Sequence, residues 1–312
     1  MTDILSMLVV IPVHNEEDVI ATTVNDIIKQ LATINIHHNL VLIDDGSSDE
    51  SWAKINEIAK NQSSTITAIK LSRNFGKDAA ILAGLTSRTS DLYVVIDADG
   101  EHPVEKINEF YQCYIDNNCD VVHGVKNKRR GSWSYKLHTK LFNKIFNSLT
   151  NIDLTESSDF KLFNKKFRNA LLDYGDYDYF FRAAAQDVGF NSNIVTFDEK
   201  ERLEGSSSWG KSSLIKYALN SIVNYSHYPL YLILFMGLSS VALGFGVGIK
   251  VLFELGKSVI PSGYLTLLIL SLISIGMIMT SIGIIGVYLS KIFDEVKRRP
   301  RYIVETSTND DS

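Results

Sequence analysis

The sequence predicts an α/β domain built on a doubly wound, mostly parallel sheet, followed by two helices long enough to cross a bilayer. Three observations carry this. Short apolar runs alternate with helix-like stretches through the soluble part of the chain, residues 1–228. Polar clusters close three of those runs, at residues 14–17, 44–49 and 97–101. No charge occurs from Pro229 to Ile249 or from Tyr264 to Ser290.

The elements follow in order. Residues 7–13 (MLVVIPV) read as a buried parallel strand, too short and too early interrupted by Pro12 and His14 to be a signal peptide. Asn15-Glu16-Glu17-Asp18 opens a helix running to about Leu31, its acids suited to the N-terminal dipole. Residues 40–44 form a second strand, and the loop from Asp45 to Asp49 leads into a helix over 50–60. Residues 66–71, 92–97 and 120–125 read as further strands; 77–87, 105–118, 135–149 and 165–173 read as helices. Such alternation argues for a parallel sheet covered on both faces, and ligands bind such sheets beyond the carboxyl ends of the strands. The three polar clusters are therefore expected to meet in one cleft.

Composition excludes some classes. The net charge of −5 argues against a nucleic-acid binder. The two cysteines, Cys113 and Cys119, fit neither a zinc pattern nor a disulfide framework. Each uncharged stretch can span a hydrocarbon core of about 30 Å. Lys211 and Lys216 precede the first, and Lys291, Lys297, Arg298, Arg299 and Arg301 follow the second, whereas only Lys250 and Lys257 lie between. The basic excess predicts a multi-pass protein with both outer flanks in the cytoplasm. The expected division is a catalytic domain over 1–211, an amphipathic interfacial helix over 212–228, spans over 229–253 and 264–290, and a cytoplasmic basic tail over 291–312. Within that tail, Thr306 to Ser312 are expected to be disordered. Gly244, Gly246 and Gly248, with Gly276, Gly283 and Gly286, are expected to permit close helix packing, within one chain or in a homo-oligomer.

The chemistry centres on Asp97-Ala98-Asp99 at a strand end. Two hard oxygen ligands on one loop suit Mg²⁺ or Mn²⁺, which keep positions open for substrate phosphates. Glu101 is either a third ligand or a helix N-terminal acid. Asp44 and Asp45 end a buried strand, where one can accept hydrogen bonds from a base or ribose. His14 reads as a polar or packing contact.

The segments VVIPVHNEE, LIDDGSSDES, LSRNFGKDAAILAGL, VVIDADGEHP, SSDFKLFNKK and ERLEGSSSWG stand in an order that resembles family 2 glycosyltransferases of the polyprenyl-phosphate type. These include dolichol-phosphate mannosyltransferases and bacterial bactoprenol glucosyltransferases. The two spans and the ending KRRPRYIVE resemble the bactoprenol branch. The resemblance covers nearly the whole chain and implies a GT-A fold. It implies an inverting transfer of a sugar from a nucleotide diphosphate to the phosphate of a membrane isoprenoid.

By resemblance, Asp97 and Asp99 hold the divalent ion, with Glu101 as a candidate third ligand. Pro12, Glu16, Asp44 and Asp45 line the donor nucleotide pocket, joined by Arg73 and Lys77. Asp159 is the acceptor-side carboxylate, Arg202 contacts phosphate, and Asp159, Arg202 and Asp99 form the implied catalytic set. Arg129 and Arg130 are candidates for the lipid phosphate. The chain departs from the family at His14, where tyrosine is usual, and at Gly100-Glu101, where Leu-Gln is usual; the extra carboxylate adds negative charge beside the metal.

The implied partners are a nucleotide-sugar donor, a polyprenyl phosphate and the inner (cytoplasmic) membrane. The branch resembled suggests UDP-glucose and a role in O-antigen or cell-wall modification. Mannose, an N-acetylhexosamine and an aminoarabinose precursor remain open as the sugar. A processive polysaccharide synthase would need a Gln-X-X-Arg-Trp motif and more spans. A glycosidase would not need its acids at parallel strand ends. A non-catalytic membrane adaptor would not need Asp97, Asp99, Asp159 and Arg202 together.

Overall fold

Strand β1 (Ser6–Val13) is the centre of the sheet, and every side chain from Met7 to Val13 is buried. A run buried on both faces is what a parallel strand covered by helices on each side requires. In a computed structural model, residues 5–34, 36–127, 158–174, 180–198, 228–255 and 263–308 are described. The further strands are β2 (His37–Asp44), β3 (Ile66–Leu71), β4 (Leu92–Val95), β5 (Val121–Lys126), β6 (Lys161–Asn164), β7 (Ser192–Phe197) and β8 (Val304–Ser307). They form one sheet in the order β7-β5-β6-β4-β1-β2-β3-β8. The pairs β1–β2, β1–β4, β2–β3 and β5–β7 are parallel; β4–β6, β5–β6 and β3–β8 are antiparallel.

The helices of this domain are α1 (Ile20–Leu31), α2 (Ser51–Asn61), α3 (Lys77–Ser87), α4 (Lys106–Asn117), α5 (Lys165–Asp173) and α6 (Phe181–Asp187). Alternation along β1 sends Met7, Val9, Ile11 and Val13 into one core with Ile20, Val24, Ile55, Ile107 and Phe110. Leu8 and Val10 enter the other core with Ala80, Ile81, Phe167 and Phe181. The result is helices on both faces of a mixed sheet. Helix α3 packs tightly on it at Gly84, where a Cβ would stand 2.4 Å from Val10 Cγ1.

Three expectations are corrected. Helix α1 starts at Ile20, not at Asn15, because the backbone of residues 15–17 is spent on the neighbouring loop. Asn15 N–H donates to Ser47 Oγ (3.0 Å), Glu16 N–H to Ser51 Oγ (2.8 Å) and Glu17 N–H to Asp49 Oδ2 (3.2 Å). Asn15 itself turns through φ 54°. The end of the chain is not disordered through Thr306: residues 304–307 add an antiparallel strand to the free edge of β3. Residues 301–308 reinforce it. Arg301 Nη2 donates to the Tyr174 carbonyl (2.9 Å), Ser72 N–H donates to the Ile303 carbonyl (2.9 Å), and Lys70 pairs with Glu305 (2.9 Å).

The chain divides into two units, one made of Met1–Gly210 with Pro300–Ser312, the other of Lys211–Arg299. In the second, α7 (Tyr228–Leu255) and α8 (Tyr264–Lys297) pack against each other. At 1.5 Å per residue they are about 42 and 51 Å long. Their apolar windows, Leu230–Ile249 and Leu270–Lys297, have a mean hydropathy of 2.1. The third correction concerns the glycines. Among the described residues, a Cβ at Gly244, Gly246, Gly248, Gly276, Gly283 or Gly286 would meet nothing within 4 Å, so the close packing expected of them is not made within one chain there, and the expectation of packing in a homo-oligomer is untouched.

Candidate active site

The carboxyl ends of β1, β2 and β4 carry His14, Asp45 and Asp97, and short polar contacts knit the loops that follow. His14 Nδ1 donates to the Asp45 carbonyl (3.0 Å), which leaves Nε2 to accept from Asn74 Nδ2 (3.1 Å). Asn15 Oδ1 accepts from Ser48 N–H (2.8 Å). Gly46, at φ 62°, makes the closest approach: a Cβ there would stand 2.5 Å from the backbone of Arg73 and Asn74. Pro12 is buried on β1 beside Ile43, and Glu16 is half-buried.

Asp44 and Asp45 are both buried but do different things. Asp44 accepts from Ser47 N–H (3.3 Å to Oδ2), and burial raises its carboxyl above the ordinary value. Asp45 accepts from Phe75 N–H (2.7 Å) and Gly76 N–H (2.9 Å), one on each oxygen. It thereby shapes the turn that begins α3, where Gly76 adopts φ 101°. Burial also pushes the Asp45 carboxyl up, against those two hydrogen bonds. Arg73 is exposed, with its guanidinium 4.7 Å from the Phe75 ring.

Lys77, the first residue of α3, is where the site comes together. Its ammonium lies 2.6 Å from Asp97 Oδ1 and 2.7 Å from Asp159 Oδ2. Arg182 of α6 reaches Asp159 from the other side, Nη2 to Oδ2 at 2.8 Å and Nε to Oδ1 at 3.2 Å. Burial alone would depress Lys77, but Asp159 and Asp97 hold it above its usual range. Burial alone would raise Asp159, but Arg182 and then Lys77 hold its carboxyl well below the usual carboxylate range. A buried carboxylate with both oxygens committed to cations is a poor proton acceptor and a good anchor.

Packing fixes Asp159 from behind. Ser158 Oγ donates to the Gly124 carbonyl (2.6 Å), and the fully buried Lys161 donates to the Ser158 carbonyl. Burial pushes the Lys161 amine down to about 7. Asp78, beside Lys77, is pushed up to about 6 by burial and then by Asp159. It accepts from Phe181 N–H (2.9 Å), tying α3 to the helix that carries Arg182.

Asp97 N–H donates to Nδ1 of the buried His102 (3.4 Å), whose ring packs on Phe160 and Phe197. Burial holds His102 below its ordinary value, against the pull of Asp97. Asp99 Oδ1 accepts from Glu101 N–H (3.0 Å), and both residues are half-buried.

Among the described residues, no three His, Cys, Asp or Glu side chains converge as a ready-made metal site. Asp97 nonetheless already carries a cation, the Lys77 ammonium. Hard oxygen donors at a cation-demanding position suit Mg²⁺ or Mn²⁺, which complete their shells with phosphates and water. Asp97 and Asp99 are the residues that would hold the ion.

Arg129, Arg130, Arg202, residues 212–227 of the expected interfacial helix and the helix expected over 135–149 lie outside the described residues. Sequence reasoning missed Arg182 and His102. The signal for Arg182 was present: one cation in Phe180-Phe181-Arg182-Ala183-Ala184-Ala185, a segment otherwise apolar.

Comparison with known proteins places this geometry. Residues 8–189 match the model of "Glycosyl transferase family 2". The chain is 32% identical over 314 residues to the "Uncharacterized glycosyltransferase YkoT" of Bacillus subtilis, covering 96% of this chain and 91% of the relative. It is 28% identical to the "Undecaprenyl-phosphate 4-deoxy-4-formamido-L-arabinose transferase" of Edwardsiella ictaluri, covering 95% of this chain and 92% of the relative. Glucosyl-3-phosphoglycerate synthase from Mycobacterium tuberculosis, solved with Mn²⁺, UDP-glucose and phosphoglyceric acid, gives a TM-score of 0.48 at 18% identity, over 70% of this chain and 78% of that one. A family match over more than half its length and a relative 32% identical over most of both chains make this chain a member of glycosyl transferase family 2.

Proposed function

We propose that this chain is a membrane-anchored, inverting glycosyltransferase. It moves a sugar from a nucleotide-diphosphate donor to the phosphate of undecaprenol or a related polyprenol. UDP-glucose is the proposed donor, and the product is a lipid-linked sugar for O-antigen or cell-wall modification. The observation that carries the reading is the cluster of Lys77 and Arg182 around Asp159, beside Asp97 at the strand ends. Relatives named as undecaprenyl-phosphate transferases, aligned over nearly the whole chain, support the lipid acceptor.

The chemistry asks little of a base. A phosphate monoester, with a second pKa of about 6, is already mostly a dianion at neutral pH. One of its oxygens bonds to the anomeric carbon on the face opposite the diphosphate. The carbon–oxygen bond to the diphosphate breaks, its electron pair leaves with the nucleoside diphosphate, and no proton need move. The greater difficulty is bringing two anions together. Asp97 and Asp99 would hold a divalent ion, which would neutralise the donor diphosphate when bound. Lys77 and Arg182, oriented by Asp159, supply positive charge for the acceptor phosphate, and Arg129, Arg130 and Arg202 are candidates to add to it.

Helices α7 and α8 support the membrane anchoring. Large apolar side chains face outward along both, with Phe235 69% and Phe245 71% exposed, and neither apolar window is buried. A contiguous apolar surface of this kind belongs against lipid or protein.

The test is a transfer assay with purified full-length protein in detergent. It is given undecaprenyl phosphate, Mg²⁺ or Mn²⁺, and a panel of UDP- and GDP-sugars that includes UDP-4-deoxy-4-formamido-L-arabinose. A glycolipid formed with one donor, and lost in Asp97→Asn and on chelation, is the expected outcome. No product with any donor from folded protein would sink the proposal.

A further inference from the structure

We infer that Lys77 is a built-in counter-cation for the divalent-ion site: in the ligand-free protein its ammonium holds the position on Asp97 that the ion must take, and ion binding drives Lys77 off Asp97 and onto Asp159 alone. This rests on the reading of Asp97 as an ion ligand. It goes beyond that reading in assigning Lys77 to neither the nucleotide nor a fixed structural ion pair.

Three observations support it. The first is placement: one ammonium bridges two carboxylates on different elements, 2.6 Å from Asp97 and 2.7 Å from Asp159. Two unpaired buried carboxylates in one cleft would repel each other and lose hydration, so the ligand-free site requires a cation there. The second is access. Asp159 is nearly sealed, with 9% of its side chain exposed, whereas 41% of the Lys77 side chain is exposed. The Lys77 side chain therefore borders solvent along part of its length, and moving it off Asp97 does not require Asp159 to be uncovered. The third is redundancy. Asp159 has a second cation in Arg182, whereas the imidazole of His102, the next basic side chain of Asp97 among the described residues, stands off at 3.9 Å. Displacing Lys77 leaves Asp159 compensated, and the incoming ion compensates Asp97.

The device keeps the cleft ordered and neutral before the donor arrives. It also lowers the affinity for the bare ion, so that the ion binds well only with the diphosphate that brings further oxygens. When Lys77 is displaced, it remains bound to Asp159 with donor hydrogens free for a phosphate.

The test is a Mn²⁺ titration of full-length protein in detergent, with and without UDP and without acceptor, following free Mn²⁺ by electron paramagnetic resonance. Without UDP, Lys77→Met is expected to bind Mn²⁺ about tenfold more tightly than the parent, because the competing charge is gone. Lys77→Arg, which keeps the charge, is expected to stay near the parent. The rise in Tm on adding Mn²⁺ is expected to be larger in Lys77→Met than in the parent, a readout that survives if the variant alone is unstable. Equal or weaker Mn²⁺ binding by Lys77→Met, or an equal or smaller rise in Tm, would overturn the inference while leaving the ion site standing. No Mn²⁺ binding by any form, even with UDP, would overturn the ion site itself.

Discussion

Asp159 accepts hydrogen bonds from Lys77 and Arg182 together, and that decides what it can do in turnover. A carboxyl held well below its usual range stays ionised through mildly acid pH, so it contributes no acid limb of its own near pH 6. A limb at about pH 6 then belongs to the second ionisation of the acceptor phosphate. Asp159→Asn is expected to lower kcat about a hundredfold or more by releasing the two cations, and to leave the position of that limb unchanged. A pH profile of kcat/KM for both proteins checks it, and loss of the limb in the variant would instead make Asp159 the base. The sequence exposed Asp97 because it stands in a short acidic motif at the end of an apolar run, and Asp159 only through the family resemblance of Ser158-Asp159-Phe160-Lys161. It did not expose the link between them: Lys77 read as a donor-side residue, and Arg182 stands in no motif. Their shared target exists only once α3 and α6 are packed on the same face of the sheet.

Elements were legible where burial imposes a pattern on both faces. β1, β2, β3 and β4 each contain a short, mostly apolar run, and their parallel order follows from the helices between them. The strands β6, β7 and β8 were not legible, for reasons particular to each. β6 has a lysine, Lys161, as its first residue, buried by packing that the local sequence does not announce. β7 exposes alternate residues at a sheet edge. β8 is four residues of a polar ending, and its pairing with β3 spans more than two hundred residues of sequence. That last strand has a measurable role. Ala68 exchanges hydrogen bonds with Thr308, and Ser72 N–H donates to Ile303, so the tail covers an edge that would otherwise present unpaired backbone groups. At about 1 kcal/mol for each backbone hydrogen bond, removing the residues after Pro300 is expected to lower Tm by about 5 °C or more and to promote aggregation. Thermal unfolding followed by light scattering checks this; an unchanged Tm would mean that the edge needs no cover.

At the scale of the whole molecule, the return of the chain to its first unit constrains how it lies in a membrane. The segment Lys211–Arg299 leaves a unit that residues 300–312 rejoin, and β8 hydrogen-bonds to β3 within that unit. A strand can pair only with a strand in the same compartment, so α7 and α8 together must cross a bilayer an even number of times. Two crossings satisfy this, and each helix exceeds the roughly 30 Å of a hydrocarbon core. We propose, from the basic residues flanking the pair, that this shared side is the cytoplasm. The expected outcome is specific to the intervening segment. In a cysteine-free background, Ser258→Cys should react with a membrane-impermeant maleimide added to intact cells. Ser307→Cys and Asn61→Cys should react only after the membrane is opened. Labelling of Ser307→Cys and Ser258→Cys from the same side would mean a re-entrant or interfacial helix pair. The cleft would then have to reach its lipid acceptor by a surface-bound arrangement rather than by a transmembrane anchor.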